Sequence, residues 1–176
     1  MDFEKLVEER YSVRKFADTP VEEEKLAVIL KAGRLAPTAC NYQPQRILII
    51  SGEEGMKKLK ETTTYTFGAP MAILVCCDTS KSWTRPFDND NSGVVDVSIV
   101  TTHMMLQAAE LGLGTTWVGY FDPAKMKSAF AIPENMTPVA LLPLGYPAAD
   151  ASINPLHFQK KPEEEIVFRN SFAKKS

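Results

Sequence analysis

The chain has 176 residues, 44% hydrophobic and 24% charged, which fits one globular domain with a sizeable core. A formal net charge of -2 gives no broad basic footprint for nucleic acid. No stretch approaches the roughly 20 apolar residues that span a bilayer, and the three cysteines, Cys40, Cys76 and Cys77, form no disulfide framework.

The spacing predicts a short helix from Asp2 to about Arg10, with Phe3, Leu6 and Val7 on one face. Arg10-Tyr11-Ser12-Val13-Arg14-Lys15-Phe16 then places three cations within six residues. If this stretch is extended, Arg10, Ser12 and Arg14 share one face. Two guanidiniums and a hydroxyl suit a phosphate or an anionic ring edge, because guanidinium donors match oxyanions in pairs. A solvated basic turn is the bland alternative. Thr19-Pro20-Val21-Glu22 reads as a helix start, with Thr19 as cap, Pro20 in the first turn and Glu22 completing a capping box. Leu26, Ile29, Leu30 and Gly33 carry that helix to about Leu35, since Pro37 disfavours helix at Ala36.

Pro37 to Gln45 is a polar loop between two prolines. Arg46–Ile50 reads as a strand, Met56–Glu61 as a charged helix, and Met71–Cys77 as a buried strand. Ser80–Ser92 is a polar loop holding Trp83, Arg85 and Phe87. Val94–Leu111 is the longest helix candidate, with an apolar face wide enough to be central. Thr115–Gly119 reads as a strand, Asp122-Pro123 as a helix start, and Val139–Leu144 as a further strand. After Ala148 the tail is extended and Pro-punctuated, with Ile166, Val167 and Phe168 as a possible docking strand. This order implies an α/β or α+β domain with at least four strands.

Self-contained chemistry is hard to find. There is no P-loop and no Gly-rich fingerprint after the first strand. Gly112-Leu113-Gly114 reads better as a helix cap and tight turn. His103 and His157 lack zinc spacing, and no Ser or Cys has a local nucleophile signature. What remains is anion recognition beside an amide-rich loop, which suits a bound cofactor that carries the reaction.

Five segments resemble the signatures of the flavin-dependent nitroreductase superfamily. Arg10 to Phe16 is similar to R-x-S-x-R-x-[FY], and Ala36 to Pro44 to A-P-[ST]-x-x-N-x-Q-P. Glu110 to Gly119, Leu142 to Pro147 and Lys160-Lys161-Pro162 resemble the remaining three, in family order across essentially the whole chain. Cys40 stands where the family often has a small Gly or Ser.

The resemblance implies an α+β fold, a three-layer sandwich of a mostly antiparallel sheet flanked by helices, as one domain over residues 1–176. It also implies an obligate homodimer, with a tail from about residue 148 that wraps the partner and completes its sheet, and two FMN at the interface. Carried over by motif position, Arg10 and Arg14 would divide the FMN phosphate and the pyrimidine edge between them. Ser12 would bind the phosphate, Tyr11 lies within the same motif, and Lys160 or Lys161 would add charge. Pro37, Thr38 and Ala39 would meet the flavin from the partner chain, with Asn41 and Gln43 as polar or loop-fixing residues. Thr116, Trp117, Val118 and Gly119 would line the ring.

The implied activity is reduction of nitroaromatics, quinones or similar planar acceptors, with NADH or NADPH delivering hydride to the flavin in a ping-pong scheme. Reductive dehalogenation and non-catalytic flavin storage are the alternatives. Trp83, Arg85 and Phe87 would form a substrate lid or an ordinary surface loop. The expected setting is a reducing cytoplasm, without nucleic-acid or membrane partners and without a metal.

Overall fold

The computed structural model describes residues 2–172. The strand β2, which follows β1 (Gln45–Ser51), runs Met71–Asp78 and is buried along its whole length. A strand apolar on both faces needs cover on both. Met71, Ile73, Val75 and Cys77 pack with Leu26 and Ile29 of α2 (Glu23–Leu35) and Val97, Val100 and Met104 of α4 (Gly93–Glu110). Ala72, Leu74 and Cys76 pack with Met56 and Leu59 of α3 (Gly52–Thr62) and Met126 of α5 (Pro123–Ala129). The short α1 (Phe3–Glu9) lies against α4. The result is three layers, helices on either side of a sheet.

The sheet has the order β1-β2-β4-β3 and is antiparallel throughout, with β3 at Gly114–Thr115 and β4 at Met136–Gly145. Opposite β2 the register jumps from Val75↔Ala140 to Cys76↔Pro138, so Val139 is the extra residue of a bulge. That switch lets Val139 join Leu142 and Leu144 on the α2/α4 side, while Leu141 faces α3 and α5.

The strand expected over Thr115–Gly119 is much shorter, and Pro143 supplies a reason. The pairs Gly114↔Gly145, Thr115↔Leu144 and Val118↔Leu141 keep one register, which sets Thr116 opposite Pro143. Leu141 exchanges both backbone hydrogen bonds with Val118, at 2.9 Å each. Residues two apart point the same way, so the Pro143 nitrogen faces β3 with no hydrogen to give. The Thr116 carbonyl loses its donor and the ladder opens between Thr115 and Val118.

Two further expectations change. The helix after Thr19 starts at Glu23, with Glu22 as N-cap and no side-chain cap. Glu22 instead accepts the Tyr146 hydroxyl at 2.8 Å on each oxygen, so a tertiary contact outcompetes the local capping box. In the tail, Ile166 ends a four-residue helix, α6 (Glu163–Ile166), and the docking strand is not formed within the chain. Pro162 at its N-cap and three successive glutamates suit a helix start. The Asp122-Pro123 start is as expected, with Asp122 accepting from the N–H groups of Ala124 and Lys125 at 2.9 and 3.0 Å.

Candidate functional site

The basic stretch is an extended strip stapled along the short β3. Val13 N–H donates to the Thr115 carbonyl at 3.0 Å, Ser12 lies in parallel register with Thr115, and the Thr116 hydroxyl donates to the Val13 carbonyl. Val13 points inward at 2% exposure. Farther on, Phe16 is buried and registers with Pro147, and Ala17 N–H donates to the Tyr146 carbonyl at 2.9 Å. The strip is therefore fixed at both ends.

Its cations differ in what they touch. Lys15 pairs with Asp150. Arg10 is half-buried against α4, its Nη1 3.7 Å from the Met105 sulfur, and Arg14 Nη1 donates only to the Ser12 carbonyl at 3.3 Å. Among the described residues, neither arginine is paired with a carboxylate. Arg10 and Tyr11 line a cleft of about 200 Å³ with Leu113, Thr115 and Pro147. Glu9 also lines this cleft and Arg14 lies outside it, so Arg10 is the guanidinium at its edge and Arg14 is exposed farther along the strip, both available to an anion.

Thr116 to Gly119 continues from this cleft. Thr116 and Val118 are buried, and Trp117 is 37% exposed, its ring lying under Gly119. Beyond it, Tyr65 packs edge-on against Tyr120 with centroids 5.2 Å apart.

The loop from Pro37 to Gln43 stands elsewhere. Cys40, Asn41 and Gln43 hold left-handed φ of 50°, 54° and 51°. For non-glycine residues this persists only where surrounding contacts impose it. The Thr38 side chain accepts from Gln43 N–H at 3.1 Å, Gln43 Nε2 donates to the Asn41 carbonyl, and Arg46 donates to the Gln43 carbonyl. The Asn41 carbonyl thus takes part in a contact within the loop. A hydrogen-bonded tie to the helical layer is Ala39 N–H, which donates to Asp96 Oδ1 at 2.8 Å near the start of α4. The arginine strip meets α4 at Met105 and Ala109, toward its other end. Asp96 and Ala109 are thirteen residues apart, about 20 Å along the axis.

Lys160 and Lys161 are exposed, Lys161 lying 3.9 Å from Glu165. Among the described residues, no hydrogen bond or ion pair joins either to the arginine strip. In the loop after β2, Arg85 binds Asp88 and Asp90, so its charge is internally matched, while Phe87 at the tip is 93% exposed.

The model of the nitroreductase family matches residues 7–65 and 63–146. The chain belongs to the nitroreductase family. A nitroreductase family protein from Clostridium difficile 630, solved by crystallography, is 44% identical, covers 97% of this chain and 99% of its own, and superposes with a TM-score of 0.91. A Methanothermobacter thermautotrophicus protein, provisionally named NADH dehydrogenase/NAD(P)H nitroreductase, is 35% identical over 84% of this chain and 78% of its own length. A provisionally assigned nitroreductase from Desulfovibrio desulfuricans, solved in complex with FMN, is 26% identical with a TM-score of 0.81, covering 98% and 99%.

The donor set fits FMN. Guanidiniums at Arg10 and Arg14 without a described carboxylate partner, with the Ser12 hydroxyl between them on the strip, suit a phosphate-bearing anion. Sequence reasoning missed Asp96 and Pro143. The signal for Asp96 was present: it is the one acid of α4 before the terminal Glu110, among apolar and neutral residues. Pro143 was legible as a strand residue that cannot donate.

Proposed function

We propose that this chain, an FMN-dependent NAD(P)H oxidoreductase of the nitroreductase family, works as a homodimer that reduces nitroaromatics, quinones or similar planar acceptors. The observation that carries the reading is the pair of cations, Arg10 and Arg14, held on a fixed strip beside Thr115 and Thr116 without a carboxylate partner among the described residues. FMN, when bound, supplies hydride transfer from NAD(P)H to the acceptor. The residues of the chain orient and tune: Arg10, Ser12 and Arg14 would hold phosphate and pyrimidine edge, and Thr116 to Gly119 would line the ring. A cation at that edge favours negative charge on the reduced ring.

Three features favour a dimer. The outer face of α4 is an apolar groove of about 690 Å³ lined by Phe3, Leu6, Val95, Ile99 and Leu106. Two α4 helices crossing antiparallel about a two-fold axis would bring each Pro37–Ala39 loop toward the partner's arginines, which stand far apart within one chain. Finally, β1 is a seven-residue edge among the described strands with Leu48 and Ile49 exposed, and the tail exposes Ile166, Val167 and Phe168, the last meeting only Phe172 of the same tail among the described rings. A free edge and a loose apolar segment are the two halves of strand exchange. That arrangement would also carry Lys160 or Lys161 toward a second copy. Reductive dehalogenation would favour a free cation over the flavin, and Arg85 is already committed to Asp88 and Asp90.

The test is optical and hydrodynamic. The purified protein is expected to be yellow, to sediment as two chains with two FMN, and to bleach on NADH or NADPH under argon. Added nitroarene or quinone should restore the colour. Folded protein that stays colourless with added FMN would refute the reading.

A further inference from the structure

We infer that Asp96 is a positioning residue that presents the Pro37–Ala39 loop to the flavin held by the other chain of the dimer. This rests on the dimeric FMN reading above. Asp96 is 2% exposed, in the first turn of α4, and no step of the reaction uses it. Its Oδ2 accepts the Ser92 hydroxyl at 2.8 Å and its Oδ1 accepts Ala39 N–H at 2.8 Å. One carboxylate thus joins the start of the central helix to the first residue of the turn that carries three left-handed side chains. Such backbone is costly and relaxes when an anchor is lost. The remaining described hydrogen bonds of the loop are made within it, from Arg46 of β1, or from β2, where Asp78 N–H donates to the Pro44 carbonyl at 2.8 Å. Ala36 at the loop's start is packed in the core cluster that includes α4, and the Asp96 bond to Ala39 is the described hydrogen bond that ties the turn itself to α4, the helix whose outer face forms the proposed interface.

A charged acceptor is suited to this. Hydrogen bonds to a carboxylate are shorter and stronger than neutral ones, and a buried one has no water to replace a lost partner. The side chain reaches one end of α4, whereas Arg10 of the same chain meets the other end, so Asp96 would act on the site whose arginines belong to the partner.

The experiment uses FMN affinity, read by flavin fluorescence, together with heterodimers carrying two different affinity tags. Asp96→Ala is expected to weaken FMN about tenfold to a hundredfold. Asp96→Asn, which keeps an acceptor for Ala39 N–H, should stay within about threefold of wild type. Arg10→Ala homodimers should also bind weakly. The heterodimer of an Asp96→Ala chain with an Arg10→Ala chain has one site carrying both lesions and one carrying neither. It should therefore recover one FMN of wild-type affinity per dimer. Ala39→Pro gives a second route, because proline fits the first position of a turn of helix yet removes the donated hydrogen. It should mimic Asp96→Ala and be rescued by the same partner, which keeps the test decisive if Asp96→Ala does not fold. Wild-type affinity in both loop variants, or weak binding without rescue in the heterodimer, overturns the inference. Wild-type protein that binds no FMN overturns the functional reading itself, a separable result.

Discussion

Substituting Gly114 by alanine tests how tightly the arginine strip is seated. A methyl built there lies 2.5 Å from Val13 Cγ2, 2.9 Å from its Cβ and 3.1 Å from Cγ1. Carbon atoms rest near 3.5–4.0 Å apart, so about 1 Å of movement is required. Val13 cannot swing aside, because it is β-branched, 2% exposed and held by its N–H to Thr115. The strip must shift as a unit. Overpacking of this kind costs about 1–3 kcal/mol, and weakening the Val13–Thr115 rung adds up to about 1 kcal/mol. We therefore expect Gly114→Ala to lose about 2–3 kcal/mol in urea denaturation of the FMN-free protein. Ser12 and Arg10 ride on the same strip, so FMN affinity should fall about tenfold, the equivalent of one impaired hydrogen bond. Adding Val13→Ala should reverse much of the loss, with a coupling of about 1 kcal/mol or more. A Gly114→Ala protein with wild-type stability and affinity would show that the close packing of strip on β3 is not what seats the arginines.

Arg10→Ala should weaken FMN about tenfold to a hundredfold, since Arg10 is half-buried in the cleft, whereas the exposed Arg14→Ala should cost less. Fluorescence titrations across salt concentrations would check both, and unchanged affinity in both variants would contradict the phosphate role. Asp78 is held below its ordinary carboxylate value of 3.8, first by hydrogen bonding from Ser80 and also by Asn135 and Arg46. Its ionised form is thus favoured by folding, a contribution present above the ordinary value and lost as pH falls through the depressed one. Melting temperatures from pH 5 to pH 2.5 should fall less steeply in Asp78→Asn than in wild type, and parallel curves would refute this. Burial pushes the Cys76 thiol up to about 11, and Cys77 is also raised, mainly by burial, while Cys40 is exposed. Iodoacetamide at pH 8 should add one label per native chain, at Cys40, by mass spectrometry of peptides; labelling of Cys76 before unfolding would contradict the structure.

Local chemistry was enough for much of the fold. Met71 to Cys77 reads as a strand buried on both faces because every side chain is apolar, and the structure covers it on both. The Asp122-Pro123 start holds because the cap is satisfied by the next few residues alone. Where a residue's best partner is distant, local reading failed. Glu22 left its capping role for Tyr146, and Thr116 lost its rung to Pro143, residues far along the chain.

The arginine strip shows the same division. By itself the sequence determined that Arg10, Ser12 and Arg14 are spaced two apart, so that an extended segment would put them on one face, and that their chemistry suits a bound anion, because spacing and donor type are local properties. It also determined the family, through motifs spread along the chain. Tertiary structure alone decided that Lys15 is matched to Asp150 while Arg10 and Arg14 are not, since charge neutralisation depends on which carboxylate the fold brings near. It also decided that the Pro37–Gln43 loop is anchored to Asp96 near the opposite end of α4 from those arginines. That separation is set by the length of a helix, and no motif prints it.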